Sequence, residues 1–275
     1  AYNELRSCAD LYRLHVEGDL EIKPDFQREG VWKNTDKTRF IDSLLKGLPI
    51  PSMCFSLGKN TQHWKVIDGL QRMLTISDFL NLEQKWQLST LEDIDPRLSG
   101  KTNQDIQKHH PNIFKQVENL TLPITVIRCD YEDKRHDEYL FLIFSRLNTG
   151  GMKLSPQEIR NGIYSGSFNS LLKELAKNDE FRKIYKLGGK ISPRMNDSEF
   201  VLRVFVFATV LKEYKGKLTK FLNDFMYEHR EPQKQDLDEY RDRFIRAAEL
   251  LYVNAVSRNV DSKTDSATLR EAMMV

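Results

Sequence analysis

Four residues that could act together on an anion stand between a strand pattern and a helix pattern. In the segment IDGLQR they are Asp68, Gly69, Gln71 and Arg72, and the apolar run HWKVI leads into them. The first turn of a helix has unpaired N–H groups and a partial positive charge, and both attract anions. Gly69 would let a phosphate approach the backbone, and the Arg72 guanidinium would bind its oxygens. The pattern therefore predicts an anion site in which Asp68 holds a divalent cation or acts as a base toward water.

The same residues also fit a purely structural role. Aspartate is common at the N-cap of a helix, where its side chain accepts a hydrogen bond from the first turn. In this alternative Asp68 caps the helix, and Arg72 pairs with Asp68 or with another acid. The residue types alone leave both hypotheses open.

A second polar pair, Gln27 and Arg28, lies in the segment PDFQREGVW. One hypothesis places Arg28 at the same anion site, because a second guanidinium would bind further phosphate oxygens. In the alternative, which the residue types favour, Phe26 and Trp32 fill the core and Arg28 belongs to a structural ion pair.

A third polar segment is FSRLNTGGMKLSPQEIRNG, in which Asn148 follows a helix pattern. Ser155 and Glu158 have the spacing of a capping box, which explains Glu158 without any chemistry. Arg160 and Asn161 have no such explanation, so they are candidates for a functional role.

The elements that would position these residues alternate between helix and strand in the first half of the chain. Strand patterns are LEIKP, SMCFSL, HWKVI and LPITVIRC, and helix patterns begin at Ser7, near Asn34 and near Gly69. Residues 87–112 show little periodicity and are interpreted as an insertion.

Every pattern after residue 132 is helical. The predicted helices are 133–147, 156–164, 168–187 in two pieces, 197–214, 218–229 and 236–257, with another start at Ser266. The chain is therefore expected to be α+β, with a mixed α/β domain at 1–132 and a helical domain at 133–275. Because the last helical pattern is still running at Val275, we expect the native protein to continue.

The charge balance indicates that only a local basic surface of the chain could bind nucleic acid. Its 42 basic and 40 acidic residues give a net charge of +2, so the whole chain is not a polycation. A local basic loop, KIYKLGGKISPR, is the candidate DNA-binding surface. Its basic residues are Lys183, Lys186, Lys190 and Arg194. Such a patch contacts phosphates without reading sequence, although a solvated loop with no ligand is the commoner outcome for such a run.

Cysteine usage and hydropathy indicate a cytoplasmic protein. Cys8, Cys54 and Cys129 are widely spaced and fit neither a zinc pattern nor a disulfide framework, so we expect reduced thiols in the core. No apolar run approaches the length of about 20 residues that a membrane span requires.

The polar segments, taken in order, resemble the S-region of the GmrSD modification-dependent restriction endonucleases. The shared segments are PDFQREGVW, FIDSLLKGLPIP, IDGLQR and FSRLNTGGMKLSPQEIRN, and the resemblance covers about residues 7–165. This family is a branch of the ParB- and sulfiredoxin-like fold with an Asp-Gly-Gln-Gln-Arg motif. Leu70 replaces the first glutamine of that motif.

The resemblance implies a small mixed sheet followed by helices, and a nucleotide pocket with NTP and Mg²⁺ as cofactors. Asp68, Gln71 and Arg72 would be the catalytic residues, with Asp68 as the metal ligand. The residues expected to bind the nucleotide are Gln27, Arg28, Gly69, Arg72, Asn148 and Arg160. Relatives act in defence against phage, and some sense modified DNA.

These implications favour an NTP-hydrolysing, DNA-sensing domain of a restriction or antiphage system. Expected partners are DNA, modified or not, and a nuclease domain or subunit, with a homo-oligomer left open. The alternative is a catalytically silent DNA- or protein-binding module that relies on a nuclease elsewhere. Many relatives carry a nuclease of the His-Asn-His type, but the sequence shows no histidine pattern with metal-ligand spacing.

Overall fold

The chain folds into two compact units. The computed structural model describes residues 1–22, 32–131, 133–147, 154–185, 192 and 194–257. The units are Ala1–His136 and Asp137–Val275. The first unit contains a mixed sheet with helices and the second is mostly helical, which confirms the predicted α+β class. The sequence-based division between residues 132 and 133 lies close to this boundary.

A five-stranded mixed sheet forms the centre of the first unit. Its strands are β1 (Tyr2–Ser7), β2 (Leu20–Glu21), β3 (Met53–Gly58), β4 (Trp64–Asp68) and β5 (Thr121–Cys129). Their order across the sheet is β1-β5-β3-β4-β2. The pairs β1 with β5 and β3 with β4 are antiparallel, whereas β5 with β3 and β4 with β2 are parallel. The end of β4 therefore lies beside the start of β3.

The helices of the first unit share one core with the sheet. They are α1 (Cys8–Val16), α2 (Asn34–Leu45), α3 (Leu70–Leu80), α4 (Asn103–His109) and α5 (Pro111–Asn119). Alternate residues of β3, namely Met53, Phe55 and Leu57, belong to this core because side chains alternate between the faces of a strand. Helix α1 begins at the predicted cap, where Ser7 Oγ accepts a hydrogen bond from Asp10 N at 3.0 Å.

The structure of this unit differs from the sequence analysis in two places. Residues 87–112, interpreted as an insertion with little periodicity, contribute Leu88, Ile94 and Leu98 to the core, and α4 lies within this segment. Side-chain contacts hold this segment in place: the Asn103 amide donates to three backbone carbonyls, including Asn81 O at 2.8 Å. Strand β1 was not predicted. It is an edge strand whose residues are half-buried or exposed, so its apolar alternation is weak.

From residue 134 the described chain is helical. The helices are α6 (Lys134–Leu147), α7 (Pro156–Ile163), α8 (Ser167–Leu175), α9 (Asp179–Ile184), α10 (Asn196–Val210), α11 (Leu218–Glu228) and α12 (Lys234–Ser257). Phe168 is fully buried, and its ring centroid lies 5.7 to 5.8 Å from those of Phe205, Phe225 and Tyr240. This aromatic cluster joins α8, α10, α11 and α12 in one core. The helix start expected at Ser266 lies outside the described residues.

The three cysteines are free and buried, as predicted. Burial raises the pKa of the Cys8 and Cys54 thiols to about 12, so both stay protonated near neutral pH. Within the described ranges, no helix is both long enough and apolar enough to cross a membrane.

Candidate functional site

Gly69 makes the turn between β4 and α3 that carries the candidate site. Its φ of +96° lies in the left-handed region, which residues with a Cβ rarely adopt. A Cβ at this position would also lie 2.5 Å from Met53 Cγ, closer than real side chains approach. Both the backbone conformation and the neighbouring strand therefore require glycine here.

We predict that Gly69→Ala lowers the free energy of unfolding by about 2 to 4 kcal/mol, combining left-handed strain with overpacking. Gly18→Ala is the matched control, because Gly18 has a φ of +81° but open space around its Cβ position. The control should lose only about 1 to 2 kcal/mol. Urea unfolding followed by tryptophan fluorescence measures both, since Trp32, Trp64 and Trp86 all lie in the first unit. Equal losses would show that the approach to Met53 costs nothing.

The structure brings Asp68 and Arg72 together at this turn. Arg72 Nη2 donates to Asp68 Oδ2 at 2.9 Å, and Nη1 donates to the carbonyl of Pro51, which precedes β3. The Arg72 side chain is 14% exposed, whereas that of Asp68 is 37% exposed. Burial lowers the pKa of Arg72, and the Asp68 carboxylate opposes this shift. Arg72 thus fixes the carboxylate and links it to the start of β3.

The start of α3 differs from the helix-cap alternative. The N-cap is Gly69, and no side chain caps the first turn, so Asp68 does not act as the cap. Leu70 is 3% exposed and belongs to the core, which explains why an apolar residue fits in this first-turn position. Gln71 is half-buried, and its side-chain amide has no hydrogen bond to any residue that the structure describes. Asp68 therefore directly precedes a helix start that no side chain caps.

A polar row that the sequence analysis did not single out continues from Asp68 across the sheet. Asp68 on β4 is paired with Cys54 on β3, Cys54 with Thr125 on β5, and Thr125 with Asn3 on β1. Thr125 Oγ1 donates to Asn3 Oδ1 at 2.9 Å and lies 3.0 Å from Ser52 Oγ. Polar residues within the predicted strands were the available signal, but the strand order was needed to align them.

The Cys54 thiol in this row is not suited to nucleophilic chemistry. Burial raises its pKa to about 12, and the neighbouring Asp68 carboxylate acts in the same direction. The thiolate is the reactive form of cysteine, and it is scarce at neutral pH when the pKa is this high. Cys54 therefore serves as a buried neighbour of Asp68.

A family description for the GmrSD restriction endonuclease, N-terminal domain, matches residues 10–165, which is more than half of the chain. The chain belongs to this GmrSD family. Membership places it among restriction-system proteins. Searches of curated proteins and of solved structures returned no match. The matched range of this GmrSD chain contains the whole Asp68–Arg72 turn and ends before α8.

Metal binding at the GmrSD turn would depend on Asp68 and the ligand together. Among the described residues, no cluster of three histidine, cysteine, aspartate or glutamate side chains could hold a metal ion. Magnesium is commonly held by one or two carboxylates together with substrate phosphates. The partly exposed Asp68 carboxylate fits that arrangement and does not fit a cage made of protein ligands only.

Arg160, expected to bind nucleotide, lies in the interior of the helical unit. Its side chain is 1% exposed, with Nε donating to Asn223 Oδ1 at 2.8 Å. Nη1 donates to Gln157 Oε1 and to Glu199 Oε2, each at 2.9 Å. Burial lowers the pKa of Arg160, and the Glu199 carboxylate opposes this shift. This geometry favours a structural ion pair that ties α7 to α10 and α11.

Some of the other residues singled out from the sequence lie in the described parts of this GmrSD chain, and the rest lie outside them. The capping box is confirmed: Ser155 Oγ accepts from Glu158 N at 3.1 Å. Trp32 packs against the core, with 5.4 Å between its ring centroid and that of Phe40. The expected residues outside the described ranges are Gln27, Arg28, Asn148, Lys186 and Lys190.

Two of the four basic residues expected in a loop are described, and Lys183 lies in helix α9 rather than in a loop. Both described residues have partners inside the protein. Lys183 Nζ lies 5.0 Å from the ring centroid of Tyr252, and Arg194 Nη2 lies 3.8 Å from Glu158 Oε2. DNA binding by this loop stays a prediction.

Proposed function

We propose that this chain is a nucleotide-binding, DNA-sensing component of a restriction system, and that it hydrolyses NTP at the Asp68–Arg72 turn. One observation carries the proposal: an uncapped helix start lies beside a carboxylate that an arginine holds in place. Free N–H groups at a helix start bind phosphate. The GmrSD family membership supports the restriction role, a DNA partner and a nuclease domain or subunit.

Each residue of the turn has a distinct task in this proposal. The first-turn N–H groups of α3 bind phosphate oxygens. Gly69 supplies the left-handed turn, but it does not open the space for a phosphate that the sequence suggested, because Met53 fills its Cβ position. Arg72 positions Asp68 through Oδ2. The other Asp68 oxygen has no hydrogen bond to a described residue, so it can accept a proton from water or bind a cation. Magnesium, if bound together with the nucleotide, would neutralise part of the phosphate charge.

A titration with ATP, GTP and CTP, with and without Mg²⁺, tests binding by calorimetry. We expect Arg72→Ala to weaken nucleotide binding about tenfold or more, the scale for losing a charged hydrogen bond. Without Arg72, the Asp68 carboxylate loses its orientation and its charge repels phosphate. Arg39→Ala is the control, because Arg39 forms an exposed ion pair with Asp93 in the same unit. Wild-type protein that binds none of the three nucleotides would contradict the proposal.

The second candidate function is a catalytically silent binding module. Leu70 favours this function, because it replaces the first glutamine of the family motif and its side chain is buried in the core. This function is also favoured by Arg72, two of whose nitrogens already donate to Asp68 and Pro51. Normal nucleotide or DNA binding, with no phosphate release in the presence or absence of DNA, would establish this function instead.

A further inference from the structure

A groove of about 670 Å³ lies in the helical unit, between the segment that follows α10 and helix α11. Four lysines line it, namely Lys212, Lys215, Lys217 and Lys220. Gly216, with a φ of +81°, turns the backbone between two of them. The groove lies beyond residue 165, where the family match ends. The proposed function assigns no residue of this groove, and the inference below concerns the DNA contact of that function.

Three of the four lysines form no ion pair with any residue that the structure describes. Lys220 Nζ lies 2.8 Å from Glu138 Oε1 and 3.2 Å from Asp224 Oδ1, so its charge is compensated. Within the part of the chain that the structure describes, no carboxylate forms an ion pair with Lys212, Lys215 or Lys217, and all three are exposed. Like charges held close together repel, and a bound polyanion relieves that repulsion.

The opposite charges in the groove limit where an anion would sit. Asp224 is already paired with Lys220. Glu213 and Glu228 also line the groove, and Glu213 lies within the Lys212–Lys217 segment, whose three lysines still leave it with a net charge of +2. Phe221 and Phe225 line it too and give it an apolar surface. An anion is therefore expected to bind along the Lys212–Lys217 segment.

We propose that this segment binds the phosphodiester backbone of DNA. Its lysines are exposed, flexible point charges on an open surface, which suits sequence-independent phosphate contacts. A free nucleotide presents the same phosphate chemistry, but it would profit less from three separate lysines. This proposal stands independently of nucleotide binding at Asp68.

Fluorescence anisotropy with labelled duplex DNA over a salt series tests the proposal. The variant Lys212→Ala with Lys215→Ala and Lys217→Ala should bind duplex about tenfold or more weakly. The slope of log affinity against log salt should fall by about 2 to 3, close to one for each phosphate that is no longer neutralised. The matched control is Lys85→Ala with Lys101→Ala and Lys108→Ala, which removes three exposed charges from the first unit. That control should bind within about twofold of wild type, because the salt slope reflects local phosphate neutralisation.

A second variant tests the same surface by strengthening it. Glu213→Gln removes a negative charge from the groove and should raise affinity for duplex about two- to fivefold, the scale of one surface charge pair. Unchanged binding by the triple variant, or an equal loss in the control, would overturn the proposal. A loss of ATP affinity in the triple variant, with duplex binding intact, would assign the groove to a nucleotide instead. The wild-type protein could fail to bind ATP while the variants change duplex binding as expected. That result would refute the proposed nucleotide function and leave the DNA-binding proposal intact.

Discussion

Arg160→Ala is expected to lower the free energy of unfolding by about 3 to 5 kcal/mol, the range for removing one partner of a buried ion pair. The guanidinium is 1% exposed and bonds to Gln157, Glu199 and Asn223. Its removal leaves a cavity and leaves buried acceptors without their donor, and each unsatisfied group carries a desolvation cost. Urea unfolding followed by far-ultraviolet circular dichroism, which reports on the helices, measures the change.

Arg203→Ala is the matched control for this prediction. Arg203 Nη2 lies 2.5 Å from the other oxygen of Glu199, but its side chain is 27% exposed. This ion pair is partly exposed, so solvent compensates part of its loss and this variant should lose less, about 1 kcal/mol. A stable Arg160→Ala protein that no longer binds nucleotide would contradict the structural assignment. That result would support the nucleotide-binding role that the sequence predicted for Arg160.

Asp68→Asn is expected to reduce nucleotide turnover by about 10² or more, the scale for losing a positioned acid–base group. Asparagine keeps the size of the side chain and can still accept from Arg72, but it cannot take a proton from water or neutralise a cation. Nucleotide affinity should change much less, because phosphate attraction comes from the start of α3. Phosphate release under saturating nucleotide, with binding measured in parallel, separates the two effects.

The control for Asp68→Asn is Asp93→Asn, which removes one carboxylate charge from the same unit. Asp93 is exposed and pairs with Arg39 at 3.0 Å, away from the turn. Its variant should keep wild-type turnover. Turnover that survives in Asp68→Asn would mean that another carboxylate is the base. Wild-type protein with no turnover would identify the chain as the silent module.

Local signals predicted most helices and the turn at the site. Ser7 and Ser155 are caps whose side chains bond to the N–H three residues later, so their effect is readable from a short segment. Gly69 stands where a strand pattern changes to a helix pattern, and the structure needs its positive φ there. The proximity of Asp68 and Arg72 is also local, because only the Gly69 turn and the first turn of α3 separate them.

Residues far apart in sequence were beyond such signals. Strand β1 is defined by pairing with β5, more than a hundred residues away, because its own residues alternate only weakly. Between residues 87 and 112 the buried apolar residues Leu88, Ile94 and Leu98 precede the short helix α4 and follow no helical or strand period. Without such a period, nothing local in the sequence indicates that this segment belongs to the core.

The sequence by itself determined the α+β class, the helical second half and the Asp68–Gly69 turn, because each depends on interactions within a few residues. Tertiary structure alone decided the role open to Arg160. The sequence does not distinguish a buried arginine from one at the surface. Only the packing of α7 against α10 and α11 encloses the guanidinium nitrogens of Arg160. Likewise, strand order and register align Asp68 with Cys54, Thr125 and Asn3, since partners in a sheet are chosen by long-range pairing.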